Sequence, residues 1–352
     1  MADLFARHDR TRFEVVAISY GGDDNSPIRA RLRQGFDRFI DVQTLSDTQV
    51  AATMREIGVD IAVDLKGYTS WARNAIFAHG AAPVQVSWLG YPGPMAADFY
   101  DYVIADPVVL PHAEQPFWDE KIVHLPDTYQ PNDPLRPHMP PPSRAEAGLP
   151  GSGFVFACFN NHRKIGPGPF DIWMRLLASV PGSVLWLLDD SANEALRGHA
   201  AVRSVDPARL MFAPKVEATL HLRRLCCADL MLDTLPCGMH TTASDALWMG
   251  VPVVTCRGKS FAGRVAAGLL TALECPELIA ETMEEYEALA LALAQDPARL
   301  AALKAKLAGE RLTAPLFDAP RFCRHLEQAY VTIMEMARAG QAPRAFSVAA
   351  DS

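Results

Sequence analysis

Short apolar runs recur along the first third of the chain, at 13–19, 59–65, 84–90, 102–105 and 122–125. Each is rich in Val, Ile or aromatic residues, and they are separated by polar or helix-patterned stretches. Continuous apolar runs of this length predict strands buried on both faces of a parallel sheet. The alternation resumes at 154–159, 184–188, 210–213, 230–233 and 251–256, with apolar spacings of three and four near 169–180, 217–227 and 241–249. That is the rhythm of βα units around a second parallel sheet. Beyond 281 the pattern is helical alone, over 282–295, 297–310 and 320–337, and these segments are expected to cover the second sheet, the last crossing back to the first.

Between the two series the composition changes. Prolines stand at 126, 131, 134, 137, 140, 141, 142 and 150. Proline lacks a backbone donor and biases its predecessor away from helix, so this stretch is expected to be extended. The expected organisation is an N-terminal lobe over 1–130, a connector over 131–150, a C-terminal lobe with closing helices over 151–338, and a flexible tail over 339–352. Two α/β lobes place a ligand in the cleft between them, at the C-terminal ends of the strands. No repeat of fixed period is visible.

Charge narrows the function. Of the 352 residues, Asp and Glu number 41 against 33 Lys and Arg, a net charge of −8. A general nucleic-acid binder needs a basic face to neutralise phosphates, so nucleic acid is not an expected partner. No apolar run approaches the ~18 residues of a membrane span, and the N-terminus lacks the basic-then-apolar pattern of a signal peptide. Seven scattered cysteines, several inside apolar runs, suit free thiols in a reducing compartment. The expectation is a cytoplasmic protein with no membrane partner.

Chemistry concentrates in Leu230–Asp245. A strand ends at Asp233, a Pro-Cys-Gly turn follows, and Thr241 and Thr242 stand where a helix should begin. A helix N-terminus offers unpaired amides and partial positive charge, which suits an anion; ordinary capping by threonine is the competing explanation. Asp245 lies one turn on and can meet ribose hydroxyls. His221 and Arg224, three apart on one helix face, can stack on a base or lie solvated. Lys164 follows the strand 154–159 and can neutralise a diphosphate; a unit charge pair at ~4 Å in an effective dielectric of 20 is worth about 4 kcal/mol. In the first series, Gly67-Tyr-Thr69 and Trp88-Leu-Gly-Tyr-Pro-Gly93 follow strands, where glycine permits close approach of a ligand or simply of another loop. The Rossmann G-x-G-x-x-G signal is absent, and Arg257-Gly-Lys-Ser260 echoes a P-loop without its first glycine. Cys237 and His240 with Cys226 and Cys227 do not complete the ligand pattern of a structural zinc site.

Several of these segments together resemble a known family. Lys66-Gly-Tyr-Thr69, Ala82-Pro-Val-Gln85, Trp88–Gly93, Leu125–Asp133, Phe159-Asn160, Lys164-Ile165, Ser183–Leu188, Leu232-Asp-Thr234, His240-Thr-Thr242, Gly250-Val-Pro and Arg264-Val-Ala-Ala resemble the catalytic region of O-linked N-acetylglucosaminyltransferases, in their bacterial and SPINDLY-like forms. The resemblance runs from about residue 8 to 338. It implies a GT-B fold of two Rossmann-like lobes, and metal-free inverting transfer of N-acetylglucosamine from UDP-N-acetylglucosamine to protein Ser or Thr hydroxyls, with no cofactor. By position, Lys164 and His240 would be catalytic, and Lys164 with His240–Thr242 would hold the diphosphate. Asn161 stands where the family has a glutamine on the diphosphate. Asp245 matches the ribose contact and His221 and Arg224 the uracil side, while Gly90, Pro92 and Cys237 match the sugar pocket. One family lysine is replaced by Ala218, with Lys215 nearby.

In the family, a strand and a loop with a His-Pro or His-Ala motif precede the segment matching Met1–Val15, and tetratricopeptide repeats precede those. The resemblance therefore implies a first-lobe sheet short of one strand and no general base from that loop. The alternatives are a nucleotide-binding but inactive interaction module, a GDP-fucose-dependent protein O-fucosyltransferase, and a phosphorylase or small-molecule glycosyltransferase of the same fold.

Overall fold

A computed structural model describes residues 1–350. Its elements run α1 (Ala2–Arg7), β1 (Val16–Ser19), α2 (Pro27–Gln34), β2 (Arg38–Asp41), α3 (Asp47–Glu56), β3 (Ile61–Asp64), α4 (Ala75–Ala78), β4 (Val84–Trp88), β5 (Tyr102–Ala105) and β6 (Lys121–His124). After the proline-rich stretch come β7 (Val155–Cys158), α5 (Pro167–Ser179), β8 (Val184–Leu188), α6 (Asn193–Val202), β9 (Leu210–Ala213), α7 (Ala218–Leu225), β10 (Leu230–Leu232), α8 (Thr241–Trp248), β11 (Val253–Cys256), α9 (Phe261–Ala272), β12 (Ile279–Ala280), α10 (Met283–Gln295) and α11 (Pro297–Glu310). The chain closes with α12 (Ala319–Arg338) and β13 (Phe346–Ser347).

These elements form two units, residues 1–135 with 315–352, and residues 136–314. The division departs from the pattern-based boundaries in two ways. Residues 131–135 join the first unit, where Arg31 makes a bidentate pair with Asp133. The closing segment from Pro315 joins it too, which moves the boundary but agrees with the expected crossing of the last helix: α12 buries Phe322, Leu326, Ala329 and Ile333 there and Arg321 clamps Asp127 in a second bidentate pair. The tail expected to be flexible over 339–352 instead returns as β13, parallel to β6, with Val348 buried beside it. The end of that span, Asp351 and Ser352, lies outside the described residues.

In the second unit all six strands are parallel, in the order β12-β11-β10-β7-β8-β9. Numbered within the unit and read from the β9 edge, that is 3-2-1-4-5-6, the doubly wound order whose direction reverses between its first and fourth strands, here β7 and β10. The all-apolar runs of β7 and β10 are buried at every position, as strands covered on both faces must be. Trp173 and Trp186 fill the core around them.

The first unit holds two separate parallel sheets, β1-β2 and β13-β6-β5-β4-β3. β4 and β5 are wholly buried, whereas β1 is only half-buried along its length and β3 alternates. A cavity of about 840 Å³ is lined by both β1 and β3, with α1 and α12 also contributing. The pattern did not predict β2, whose Arg-Phe-Ile-Asp sequence places charge at both ends of a two-residue apolar core.

Candidate functional site

The switch point of the second unit gathers most of the site residues named from sequence. Open α/β sheets bind ligands outside the carboxyl ends of the strands where strand order reverses. Two loops leave that point, residues 159–166 after β7 and residues 233–240 after β10. They are tied together by Asn160, whose Nδ2 donates to Thr234 Oγ1 at 2.6 Å, while that hydroxyl donates to the Cys237 carbonyl at 2.8 Å.

Asp233 organises the second loop. Its buried carboxylate accepts from Thr234 N at 2.7 Å, Met239 N at 2.5 Å and Thr255 Oγ1 at 2.7 Å. Burial outweighs these donors and pushes its pKa up to about 6. Sequence reasoning placed Asp233 only as a strand end; the signal available was a lone carboxylate closing a wholly apolar run. The Tyr286 hydroxyl donates to the Asp233 carbonyl at 3.0 Å, anchoring α10 beneath the turn.

The third wall was also missed. Residues 258–263, read only as an incomplete P-loop, lie backbone to backbone against the 233–240 loop. Gly238 N donates to Ala262 O at 2.9 Å and Gly258 N to Gly263 O at 3.0 Å. A Cβ on Gly263 would lie 2.8 Å from Pro236 O, so that position requires glycine's bare backbone, and one on Gly238 would crowd Asp233 Oδ2 at 3.0 Å. The approach sets the N-termini of α8 and α9 beside each other, the latter capped by Ser260 accepting from Gly263 N. Two neighbouring helix N-termini, each with roughly half a positive charge, favour an anion.

Lys164 projects to this place. Its Nζ donates to Gly238 O at 2.8 Å, which fixes the ammonium on the turn before α8. His240, directly before α8, bonds through Nε2 to Ala262 O at 3.0 Å. A carbonyl accepts, so Nε2 carries the hydrogen and Nδ1 keeps its lone pair. Burial, reinforced by Lys164, lowers the His240 pKa to about 4. His240 is therefore a neutral hydrogen-bonding group, and positive charge at the turn comes from Lys164 and the helix ends. Thr241 is exposed and Thr242 half-buried on the first turn of α8, and Cys237 is a half-buried free thiol. Asn161 is exposed, its Oδ1 accepting from Arg163 N at 3.0 Å to cap the turn that carries Lys164.

Asp245, expected to be open to ribose, is held by Arg136, whose Nη1 donates to its Oδ1 at 2.8 Å. Burial raises the Asp245 pKa while Arg136 opposes the rise. The Arg136 guanidinium also lies over the Trp248 ring, 4.9 Å from its centroid. Arg136 comes from the proline-rich stretch and carried no signal in the sequence.

His221 and Arg224 do meet, as a pair with Arg224 buried and His221 half-buried rather than as a solvated face. Arg224 Nη1 donates to Pro214 O at 2.5 Å and Nη2 to His221 Nδ1 at 2.9 Å, and the guanidinium lies 5.2 Å from the Phe159 ring centre. Burial first, and Arg224 second, lower the His221 pKa to about 4. The imidazole is neutral, with Nε2 as its donor.

Gly90 and Pro92 belong to the first unit, in the loop after β4. A Cβ on Gly90 would collide with the Leu65 carbonyl, so its glycine is required by the crossing of the loops after β3 and β4.

A fixed ammonium beside two helix N-termini at the switch point of a doubly wound sheet suits an anionic group, and the fold is of the GT-B class. Anabaena HepE in complex with UDP superposes with a TM-score of 0.59 over 95% of each chain at 13% identity, a likeness of fold alone. A mutant O-GlcNAc transferase of Thermobaculum terrenum gives a TM-score of 0.88 at 32% identity, over 96% of this chain and 65% of that one.

The chain matches the model of glycosyl transferase family 41 over residues 1–139 and 133–326, and it belongs to that family. It is 37% identical over 358 residues to the Arabidopsis thaliana protein named probable UDP-N-acetylglucosamine-peptide N-acetylglucosaminyltransferase SEC, across 99% of this chain and 36% of that protein. The Caenorhabditis elegans UDP-N-acetylglucosamine-peptide N-acetylglucosaminyltransferase is 29% identical over 442 residues, across 93% of this chain and 38% of that protein. The chain thus spans little more than a third of these curated relatives. Among the described residues, no helix is long and apolar enough to cross a membrane.

Proposed function

We propose that the chain transfers N-acetylglucosamine from UDP-N-acetylglucosamine to serine or threonine hydroxyls of proteins, with inversion and without a metal. The observation that carries this reading is the Lys164 ammonium fixed on Gly238 O beside the N-termini of α8 and α9. Bond breaking at the sugar leaves charge on the departing diphosphate, and preorganised donors at that point lower the barrier. Lys164 supplies a full charge, and the first turn of α8 supplies backbone amides and the hydroxyls of Thr241 and Thr242. The neutral His240 presents Nδ1 as an acceptor next to them. Asp233, the carboxylate nearest the turn, is committed to three donors and is not a ready metal ligand.

On this reading His221 and Arg224 border the base, Asp245 the ribose, Asn161 the diphosphate and Cys237 the sugar. The partners are a nucleotide-sugar donor and a protein acceptor. The names of the relatives in the family support the donor and the acceptor class.

The test is incorporation of radiolabel from UDP-N-acetylglucosamine, and in parallel from GDP-fucose, into an acceptor peptide library, with and without a chelator. Label from the UDP sugar alone, retained in chelator, is the expected result, and Lys164→Ala should lower the rate about 10²–10³-fold. Label from GDP-fucose alone would make it a fucosyltransferase. UDP binding with no transfer from either donor would make the chain a nucleotide-binding module.

A further inference from the structure

In the first unit, three groups that play no part in the proposed transfer converge in the interior. His8 ends α1, and Cys323 and Glu327 stand one turn apart on α12. They are 7%, 3% and 6% exposed. His8 Nδ1 lies 3.1 Å from Glu327 Oε1, and Cys323 Sγ lies 3.6 Å from His8 Nδ1 and 3.7 Å from Glu327 Oε1. Among the described residues this is the one group of three His, Cys, Asp or Glu side chains whose ligand atoms all fall within 4.8 Å of one another.

We propose that His8, Cys323 and Glu327 form a three-ligand site for a zinc-type divalent cation. Tetrahedral coordination at Zn–N and Zn–O of about 2.0–2.2 Å and Zn–S of about 2.3 Å requires ligand atoms roughly 3.3–3.7 Å apart. The three separations fall at or near that range, although the residues come from opposite ends of the sequence. The donor set is chemically apt, because thiolate, imidazole and carboxylate suit zinc far better than magnesium or calcium. His8 lines the 840 Å³ cavity described above, which gives a route for the ion and for a water as fourth ligand.

The charges around the cluster are balanced: Arg10, which faces His8 and Cys323, pairs with Asp37, and Arg7, which faces Cys323, pairs with Asp3. Without an ion, the buried Glu327 carboxylate is held by hydrogen bonds from Asp9 N at 2.8 Å, His8 and the Cys323 thiol. A divalent ion with one thiolate and one carboxylate is neutral overall, which removes the cost of an uncompensated interior charge. The balance is one cation bound and one proton, from the Cys323 thiol, released.

The test uses the full chain without an affinity tag, stripped by chelator and titrated with Co²⁺ as the optical probe and Zn²⁺ as competitor. The expected result is one Co²⁺ per chain, a near-ultraviolet thiolate-to-cobalt charge-transfer band, its loss on adding Zn²⁺, and one proton released per Zn²⁺ in weakly buffered solution. Cys323→Ser should abolish the band, and Cys227→Ser should leave it unchanged. A wild-type chain that binds no Co²⁺, or a band that survives in a folded Cys323→Ser protein, overturns the proposal and leaves the cluster a hydrogen-bonded one. The wild-type titration and proton count stand even if Cys323→Ser fails to fold.

Discussion

The two units solve the same problem differently. Around β7 and β10, every strand of the second unit is paired into one six-stranded sheet, and the polar groups at the switch point are spent on one another. In the first unit, β1 and β3 belong to separate sheets, and an apolar cavity is lined by both. A single continuous sheet can hold a lysine and two helix ends to a fixed geometry, because each loop leaves a strand paired on both sides that cannot shift register. The divided one leaves two strands unpaired on one side, where backbone groups find no ladder partner and side chains stay half-buried. Function that depends on preorganised charge belongs with the first kind of architecture.

The sharpest way to break this comparison is to remove the carboxylate that ties the switch-point loop. Asp233→Ala leaves the Thr234 and Met239 amides and the Thr255 hydroxyl without their acceptor, at about 1–3 kcal/mol for each buried group left unsatisfied. The unfolding transition of the second unit in denaturant should lose at least about 3 kcal/mol. A loss below about 1 kcal/mol would show that the loop is not held by Asp233.

Hydrogen exchange sharpens the contrast without mutation. Amides of β7 and β10, buried at every position, should exchange only through large openings, while those of β1 and β2 should open locally and exchange at least about tenfold faster. Equal protection in the two regions would mean that the division of the first unit's sheet has no energetic consequence.

The smallest effect is in protonation. His221 and His240 have folded pKa values near 4 against 6.5 when free. A base with a depressed folded pKa contributes stability that is complete above pH 6.5 and is lost as pH falls from there toward 4, because the unfolded chain takes up the protons first. Asp233 acts in the opposite sense: its folded pKa near 6 exceeds the free value of 3.8, so its destabilising charge is relieved as pH falls from 6. Proton resonances of the two imidazoles should stay at neutral shifts at pH 5.5. Titration of both near 6.5 would contradict their burial.

The same contrast explains how much was legible in the sequence. The uninterrupted apolar runs of β5, β7 and β8 announced themselves, since burial on both faces demands an unbroken pattern. Residues 38–41 and 346–347 did not, because strands of two to four residues with charged or polar neighbours carry no period. At the site, the Thr241–Thr242 helix start and Lys164 were readable because each is a local signal next to a strand end. Arg136 on Asp245, and the backbone contact of Gly238 with Ala262, depend on segments far apart in the chain, and neither has a local cue. The pairing of His221 with Arg224 was visible as a helix spacing, but its burial against Phe159 was not.

The central claim is that Lys164 and the paired helix N-termini form a nucleotide diphosphate site. Isothermal titration of the chain with UDP, repeated for Lys164→Ala, tests it most directly. The account predicts one UDP per chain and at least about tenfold weaker binding in the variant, a difference of 1.4 kcal/mol or more. UDP binding of equal strength in both proteins, or no UDP binding by the wild-type chain, would contradict it.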